Sequence, residues 1–277
     1  MYGNIPIIDV HTHVYPDKIA LKAVGATGDF YGVGYRQDGR VSTLLACMED
    51  AGIDRSMIHS VATTPKQVSA INEFLAQTAQ NSDGKLIGLG TLHPDSPDQA
   101  ADVQHLAELG LLGVKLHPEI QGFAVDDPRS LRICELCEEH GLVLLLHTGD
   151  RRYDCSNPNR LIPLLQQFPK LRVIGAHLGG WSIYEDAVPQ LAGIPNLWFD
   201  CSSTFYWCDP QVALRLIRQL GVDRVMFGSD YPMWTPKAEL ATFLSLDFTD
   251  EEREMILYRN AARLFHLQDI ANSSFAR

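Results

Sequence analysis

The chain lacks positive charge: 23 Lys+Arg stand against 34 Asp+Glu, a net of −11 over 277 residues. No block of Lys or Arg offsets that balance locally, which argues against a nucleic-acid footprint. Long apolar runs are missing too. The stretch Leu142–Leu146 falls far short of the roughly 20 residues that span a bilayer, so no membrane partner is expected. The N-terminal MYGNIPIIDV has no basic segment ahead of an apolar one and carries Asp9 inside its apolar run, so no signal peptide is expected. Six scattered cysteines make no disulfide framework and suit a reducing cytoplasm, the expected location. Linkers rich in Pro, Gly or Ser and low-complexity tracts are also absent. A single domain over residues 1–277 is expected, a size that α/β barrels take as one unit. What the chain does have is ten histidines.

Eight short runs rich in Val, Ile and Leu recur: Ile5–Val10, Ser56–Val61, Leu86–Leu92, Leu111–Leu116, Leu142–His147, Arg172–His177, Asn196–Cys201 and Arg224–Ser229. After the first gap they start every 24 to 31 residues, about one strand plus one helix. Most are continuously apolar, as strands buried on both faces are. Between them, helical patterns over Val41–Ala51, Pro97–Leu109, Arg129–His140 and Val212–Leu220 each stop at a glycine. Strands alternating with helices predict a parallel α/β fold, and eight units fit a single (β/α)8 TIM barrel; a doubly wound open sheet is the alternative. The segment 15–40 reads as an irregular loop lying over the active-site face. The stretch TDEEREMILYRNAARLF reads as a capped amphipathic helix.

Functional residues of a barrel project from the C-terminal ends of its strands. Those ends carry Asp9-Val10-His11-Thr12-His13, Lys115 and His117 in GVKLHPE, His147 in LLLHTGD, His177 in GAHLGG and Asp230 in FGSDYP. Two histidines two residues apart on a strand face the same way and can reach one ion. Such a pair alone is a weak signal. Joined by two more strand-end histidines and an aspartate, it points to a catalytic divalent-metal site with an open water position.

This set resembles the amidohydrolase superfamily of metal-dependent (β/α)8 enzymes. The segments KLHPEIQGF, LLLHTG, AHLGG, FGSDYPMW and RNAARLF resemble its amidohydrolase-related branch, which holds hydrolases and decarboxylases similar to aminocarboxymuconate-semialdehyde decarboxylase. The resemblance runs from His11 to Phe265 and is specific to the superfamily, not to a substrate. It implies that His11, His13, His147 and Asp230 hold the metal. His177 would be a second-metal ligand or a substrate-polarising acid/base. Lys115 would be a carboxylated bridge between two metals, or a lysine that balances a nearby carboxylate. One ion, Zn2+ or another divalent metal such as Mn2+, is expected rather than two.

A bound divalent ion lowers the pKa of its water from 15.7 to roughly 7. Asp230 would then move protons as general base and acid, and His177 would donate to the oxygen that gains negative charge. The expected activity is hydrolysis of an amide, ester or lactone bond in a small, carboxylated substrate. The alternative is nonoxidative decarboxylation of an unsaturated or aromatic acid; a third reading is a metal-binding barrel without activity.

Substrate contacts are expected from His117, Arg151 and Tyr231. Arg151 and Arg152 would clamp a carboxylate or else be solvated loop residues. Glu119, Gln121, Tyr153 and Trp234 are further candidates for the pocket lining, and His59 and His93 stand near strand ends without metal-ligand spacing. Cys134-x-x-Cys137 lies mid-helix and reads as core packing. Gly175–Gly180 lacks the spacing of a dinucleotide site. The aromatic run Phe205-Tyr206-Trp207 suits a lid, an interface or local packing. The expected partners are a small-molecule substrate and a second copy of the chain in a homodimer.

Overall fold

The computed structural model describes residues 5–267. Its strands are β1 (Ile8–His13), β2 (Arg55–His59), β3 (Leu86–Gly88), β4 (Gly90–Thr91), β5 (Gly113–Leu116), β6 (Val143–Leu146), β7 (Arg172–Gly175), β8 (Leu197–Asp200) and β9 (Val225–Met226). All neighbours pair in parallel and in chain order, β1-β2-β3 and β4-β5-β6-β7-β8-β9. β3 and β4 are one strand interrupted at Leu89, which makes eight in all. The ring closes through single hydrogen bonds. Val10 N donates to Phe227 O (2.9 Å), and His13 N donates to Tyr231 O (2.7 Å). Across the interruption, Leu112 N donates to Gly88 O at 3.1 Å. The fold is therefore the (β/α)8 barrel that the spacing of the apolar runs predicts.

Side-chain alternation sorts the core into two layers. Ile8, Val10, Met57, Leu89, Val143, Leu145, Ile174, Ala176 and Met226 fill the barrel interior, and Tyr258, Ala261, Leu264 and Phe265 of the C-terminal segment pack against them. Their outward neighbours, such as Ile7, Ile58, Val114, Leu144, Leu146, Val173 and Phe199, pack under the helices. Continuous apolar runs are what a strand needs when both faces are buried.

β1 departs from simple alternation. Asp9 pairs with Ser56 but Thr12 pairs with Ile58, so β1 carries one extra residue between them. Ile8 and Val10 face inward before this bulge; after it the parity reverses, and Val14 packs in the outer layer. His11 and His13 are thereby turned into the barrel.

The helices follow the predicted pattern, with bounds of Val41–Ala51, Gln99–Glu108, Pro128–Glu139 and Pro210–Leu220. Gly52, Gly110, Gly141 and Gly221 follow the predicted helices, all with positive φ. Cys134 and Cys137 are buried in the outer layer, where desolvation raises both thiols. The C-terminal helix Asp250–Leu264 widens to a π-turn at Met255–Arg259. The segment 15–40 is not wholly irregular: Ala20–Tyr31 is a helix that buries Ala20, Val24 and Gly28 at four-residue spacing. Its glycines mask that pattern in the sequence, and Gly28 is needed because a Cβ there would stand 2.8 Å from Val33 O. Among the described residues no helix is long and apolar enough to cross a membrane.

At the interruption of the third strand, the buried Asn72 amide takes the place of a neighbouring strand. Its Oδ1 accepts from Thr91 N at 2.8 Å and its Nδ2 donates to Thr91 O at 3.1 Å. Asn72→Leu strands both backbone groups, and an unsatisfied buried group costs about 1–3 kcal/mol. Denaturant unfolding of that variant is expected to show a loss of about 2–4 kcal/mol.

Candidate active site

The inward-facing ends of the strands meet in one cluster. β1 contributes His11 and His13, β2 His59, β5 Lys115, β8 Asp200 and the loop after β9 Asp230; His117 and His147 follow β5 and β6 directly, and His177 stands two residues past β7. Two of these positions and one neighbour need unusual backbone. His177 (φ 57°), Asp230 (φ 59°) and Ser203 (φ 57°), just after β8, all sit in the left-handed region. Non-glycine residues held there concentrate at functional sites, because the surroundings must over-determine them.

His11 Nε2 lies 3.3 Å from His13 Nε2, and Asp230 Oδ1 lies 3.5 Å from the first and 3.7 Å from the second. Donors at neighbouring corners of a tetrahedron stand about 3.4 Å apart when the metal bonds are about 2.1 Å. The spacing of this triangle therefore matches that of donors around a divalent ion. Behind it, His11 Nδ1 meets Asp200 Oδ2 at 2.9 Å. A carboxylate can only accept, so the proton sits on Nδ1 and the Nε2 lone pair points into the triangle. Burial, then the Lys115 charge, holds His11 well below its ordinary pKa, so the ring stays neutral. Ser203 donates to Asp230 Oδ2 and itself accepts from Trp234 Nε1 at 2.7 Å, which leaves Oδ1 for the triangle. Burial pushes the Asp230 carboxyl up to about 6, against the Ser203 hydrogen bond and the Lys115 charge.

Lys115, fully buried, places Nζ 3.2 Å from His11 Nε2. Its ammonium and a metal ion compete for the same lone pair, and burial already pulls the lysine down to about 8.

The other histidines form a directed chain. His177 Nδ1 donates to the Ser202 carbonyl at 2.9 Å, so its Nε2 accepts from His147 Nδ1 at 3.1 Å. His147 Nε2 then accepts from the Tyr31 hydroxyl at 3.2 Å, whose oxygen accepts from His117 Nε2 at 2.6 Å. His117 Nδ1 takes the Ile120 amide at 3.3 Å, closing the series on a backbone donor. His117 and His147 stack with centroids 4.0 Å apart. His147 is thus one imidazole removed from the donor triangle and faces Tyr31 of the helix Ala20–Tyr31.

These groups floor a cavity of about 770 Å3 whose walls include Phe30, Tyr31, Val33, Ile71, Phe74, Trp181, Trp207, Met233 and Trp234. His11, His13, Lys115, His117, His147, His177 and Asp230 all line it. Arg151 and Tyr231 do not. The exposed Arg151 donates to Ser182 O, and Tyr231 is fully buried with its hydroxyl on Arg40 O at 2.9 Å. Arg152 is also turned away from the cavity. It pairs with the buried Asp150 at 2.7 Å, donates to Phe30 O, and lies over the Phe30, Tyr31, Tyr153 and Trp181 rings at 4.9–5.3 Å. Its work is to tether the helix Ala20–Tyr31. Glu119 has a buried side chain 3.4 Å from His117 Nδ1, and Gln121 bonds the carbonyls of Ala62 and Leu92.

Asp200, Ser202, Ser203 and Tyr31 escape the sequence reading. Asp200 ends β8, so the strand-end rule that selects Asp230 applies to it equally. Tyr31 carries no such signal.

Asp200→Asn sets an NH2 against one of the donors His11 Nδ1, His177 N and Ser202 N, whichever way the amide turns. Divalent-metal affinity, measured by chelator competition, is expected to fall about 10–100-fold. Glu239, 7% exposed, gives a pH test of stability. Burial, then the Asp230 and Asp9 charges, lifts its carboxyl to about 8, so it is neutral when folded and ionised when unfolded above about pH 4.5. Stability is therefore fully present below about pH 4.5 and declines up to pH 8, by as much as about 1.4 kcal/mol per pH unit. Glu239→Gln is expected to flatten that decline in denaturant melts run from pH 5 to 8.

A family model described as amidohydrolase matches residues 8–267. The 2-amino-3-carboxymuconate-6-semialdehyde decarboxylase of Dictyostelium discoideum is 25% identical over 243 residues, 71% of this chain but only 66% of its own length. The 5-carboxyvanillate decarboxylase of Sphingomonas paucimobilis superposes with a TM-score of 0.74 at 18% identity, covering 96% of this chain and 100% of that one. A dihydroxybenzoic acid decarboxylase from Polaromonas sp. JS666, with bound manganese and the inhibitor 2-nitroresorcinol, gives 0.71 at 15% identity, covering 97% and 99%. The barrel, the donor triangle at its strand ends and a family match over nearly every residue converge: the chain belongs to the amidohydrolase family.

Proposed function

We propose that the chain is a metal-dependent decarboxylase, a carboxy-lyase that removes CO2 from an unsaturated or aromatic acid. The observation that carries this reading is the donor triangle His11–His13–Asp230 at the floor of a cavity walled by aromatic and aliphatic side chains. Three relatives that carry decarboxylase names support it. Hydrolysis of an amide, ester or lactone, which the sequence favours, draws no support from them.

His11, His13 and Asp230 would hold one divalent ion, with His147 the further donor that the family resemblance implies once its ring leaves Tyr31. Two imidazoles and a carboxylate suit zinc or manganese. When bound, the ion supplies Lewis acidity that orients the substrate carboxylate and offsets negative charge as the C–C bond breaks. The apolar walls bind the ring or alkene and exclude water. His177, neutral and fixed by the Ser202 carbonyl, orients polar groups on the substrate from the floor. Asp230 carries the proton that replaces CO2 on carbon, which balances the reaction: acid carboxylate plus H+ gives CO2 and the shortened product.

The test is CO2 release from a panel of hydroxybenzoic and unsaturated acids, with zinc or manganese supplied. CO2 and a product one carboxyl shorter are expected. Asp230→Asn should cut turnover by about 10²–10⁴-fold with the fold intact. A new carboxylate plus an amine or alcohol, without CO2, would return the reading to hydrolysis.

A further inference from the structure

The last residue of β2 has a role that neither the family resemblance nor the mechanism above uses. Met57 belongs to the barrel interior, so two residues on, at the strand's end, His59 faces inward as well. It is fully buried, and neither of its ring nitrogens has a hydrogen-bond partner among the described residues. A neutral imidazole always presents one N–H and one lone pair, so a buried ring with neither satisfied calls for an explanation. Packing alone would be served better by leucine or phenylalanine.

The surroundings supply that explanation. His59 is the direct cross-strand partner of His13. Its ring stands edge-on to His13 with centroids 4.3 Å apart, and 4.9 Å from His11. A ligating nitrogen of His59 and one each of His11 and His13 all lie within 4.8 Å of one another. Opposite donors of an octahedral ion are about 4.2 Å apart and adjacent ones about 3 Å, so this spread is within a small side-chain rotation of a ligand set.

We infer that His59 is a metal ligand, adding a third imidazole from β2 to the two that β1 supplies. The inference rests on the metal-dependent reading of the site. It makes the centre richer in nitrogen than the triangle alone, which favours zinc and its neighbours over magnesium or calcium.

The test uses the full chain and metal alone, with affinity for Mn2+ and Zn2+ measured by chelator competition. His59→Leu keeps the bulk and removes both nitrogens. Its affinity is expected to fall at least about 10–100-fold while thermal unfolding stays cooperative. Pulsed electron paramagnetic resonance of the Mn2+-loaded protein should show one imidazole coupling fewer than wild type. Unchanged affinity and an unchanged nitrogen count would overturn the His59 role and leave the metal site standing. A wild-type chain that takes up no ion would overturn the metal reading itself, and this inference with it. If the leucine variant does not fold, the Mn2+-loaded wild-type structure decides. A His59 nitrogen about 2.2 Å from the ion supports the assignment, and one beyond about 3 Å overturns it.

Discussion

One buried contact governs the site: the Asp200 carboxylate against His11 Nδ1, at 2.9 Å. It decides which nitrogen of His11 carries the proton, and so where the free lone pair points. The same carboxylate accepts the amides of His177 and Ser202, so one strand end fixes both imidazoles at the centre of the barrel. The Ser202 carbonyl then sets the polarity of His177, and through it that of His147, Tyr31 and His117. The Ser202 carbonyl at one end and the Ile120 amide at the other favour this direction, while the Glu119 carboxylate 3.4 Å from His117 Nδ1 pulls against it at the last ring. Desolvation lowers the pKa of every histidine in the series, which keeps the ordering intact near neutral pH.

The backbone bends to serve this arrangement. The bulge in β1 reverses side-chain parity, so Ile8 and Val10 fill the barrel and His11 and His13 still point inward. His177, Ser203 and Asp230 are held in left-handed conformations within four residues of the ends of their strands. Each such residue costs on the order of 1 kcal/mol or more. The close-packed barrel beneath them is what sustains that cost.

Much of this was legible in the sequence, for a physical reason. Doubly buried strands must be continuously apolar, and helices that return to a barrel must stop, so eight runs and their closing glycines reveal the fold. Strand ends are the positions that face a barrel's active site, which is why His11, His13, His147, His177 and Asp230 stand out. Four kinds of feature were not legible. The helix Ala20–Tyr31 is hidden by Gly25 and Gly28, and the value of Gly28 lies in close approach to Val33 O and not in propensity. The inward turn of His11 and His13 depends on a bulge that no residue type announces. Arg151 and Tyr231 fall near the mouth in sequence, yet one bonds Ser182 on the exterior and the other reaches back to Arg40. Direction of a side chain just past a strand is set by local turns, which sequence spacing does not encode. Hydrolysis against decarboxylation is likewise invisible, since both chemistries call for the same donor types.

The cavity's floor and its walls are built from different parts of the chain. Strand ends supply every titratable group of the floor, whereas the walls come mainly from helix side chains at 19–33 and 67–74 and from the loops after β7, β8 and β9. Apolar wall positions such as Val33, Ile71, Phe74 or Trp207 can therefore be exchanged to suit a differently shaped molecule without disturbing proton positions below. Tyr31 and Trp234 are exceptions: the Tyr31 hydroxyl is wired to His117 and His147, and the Trp234 indole N–H to Ser203 and through it to Asp230, while both rings form part of the wall. Diversification of this scaffold has wide latitude around the apolar rim but not at that phenol or that indole, where a change of shape is also a change of chemistry.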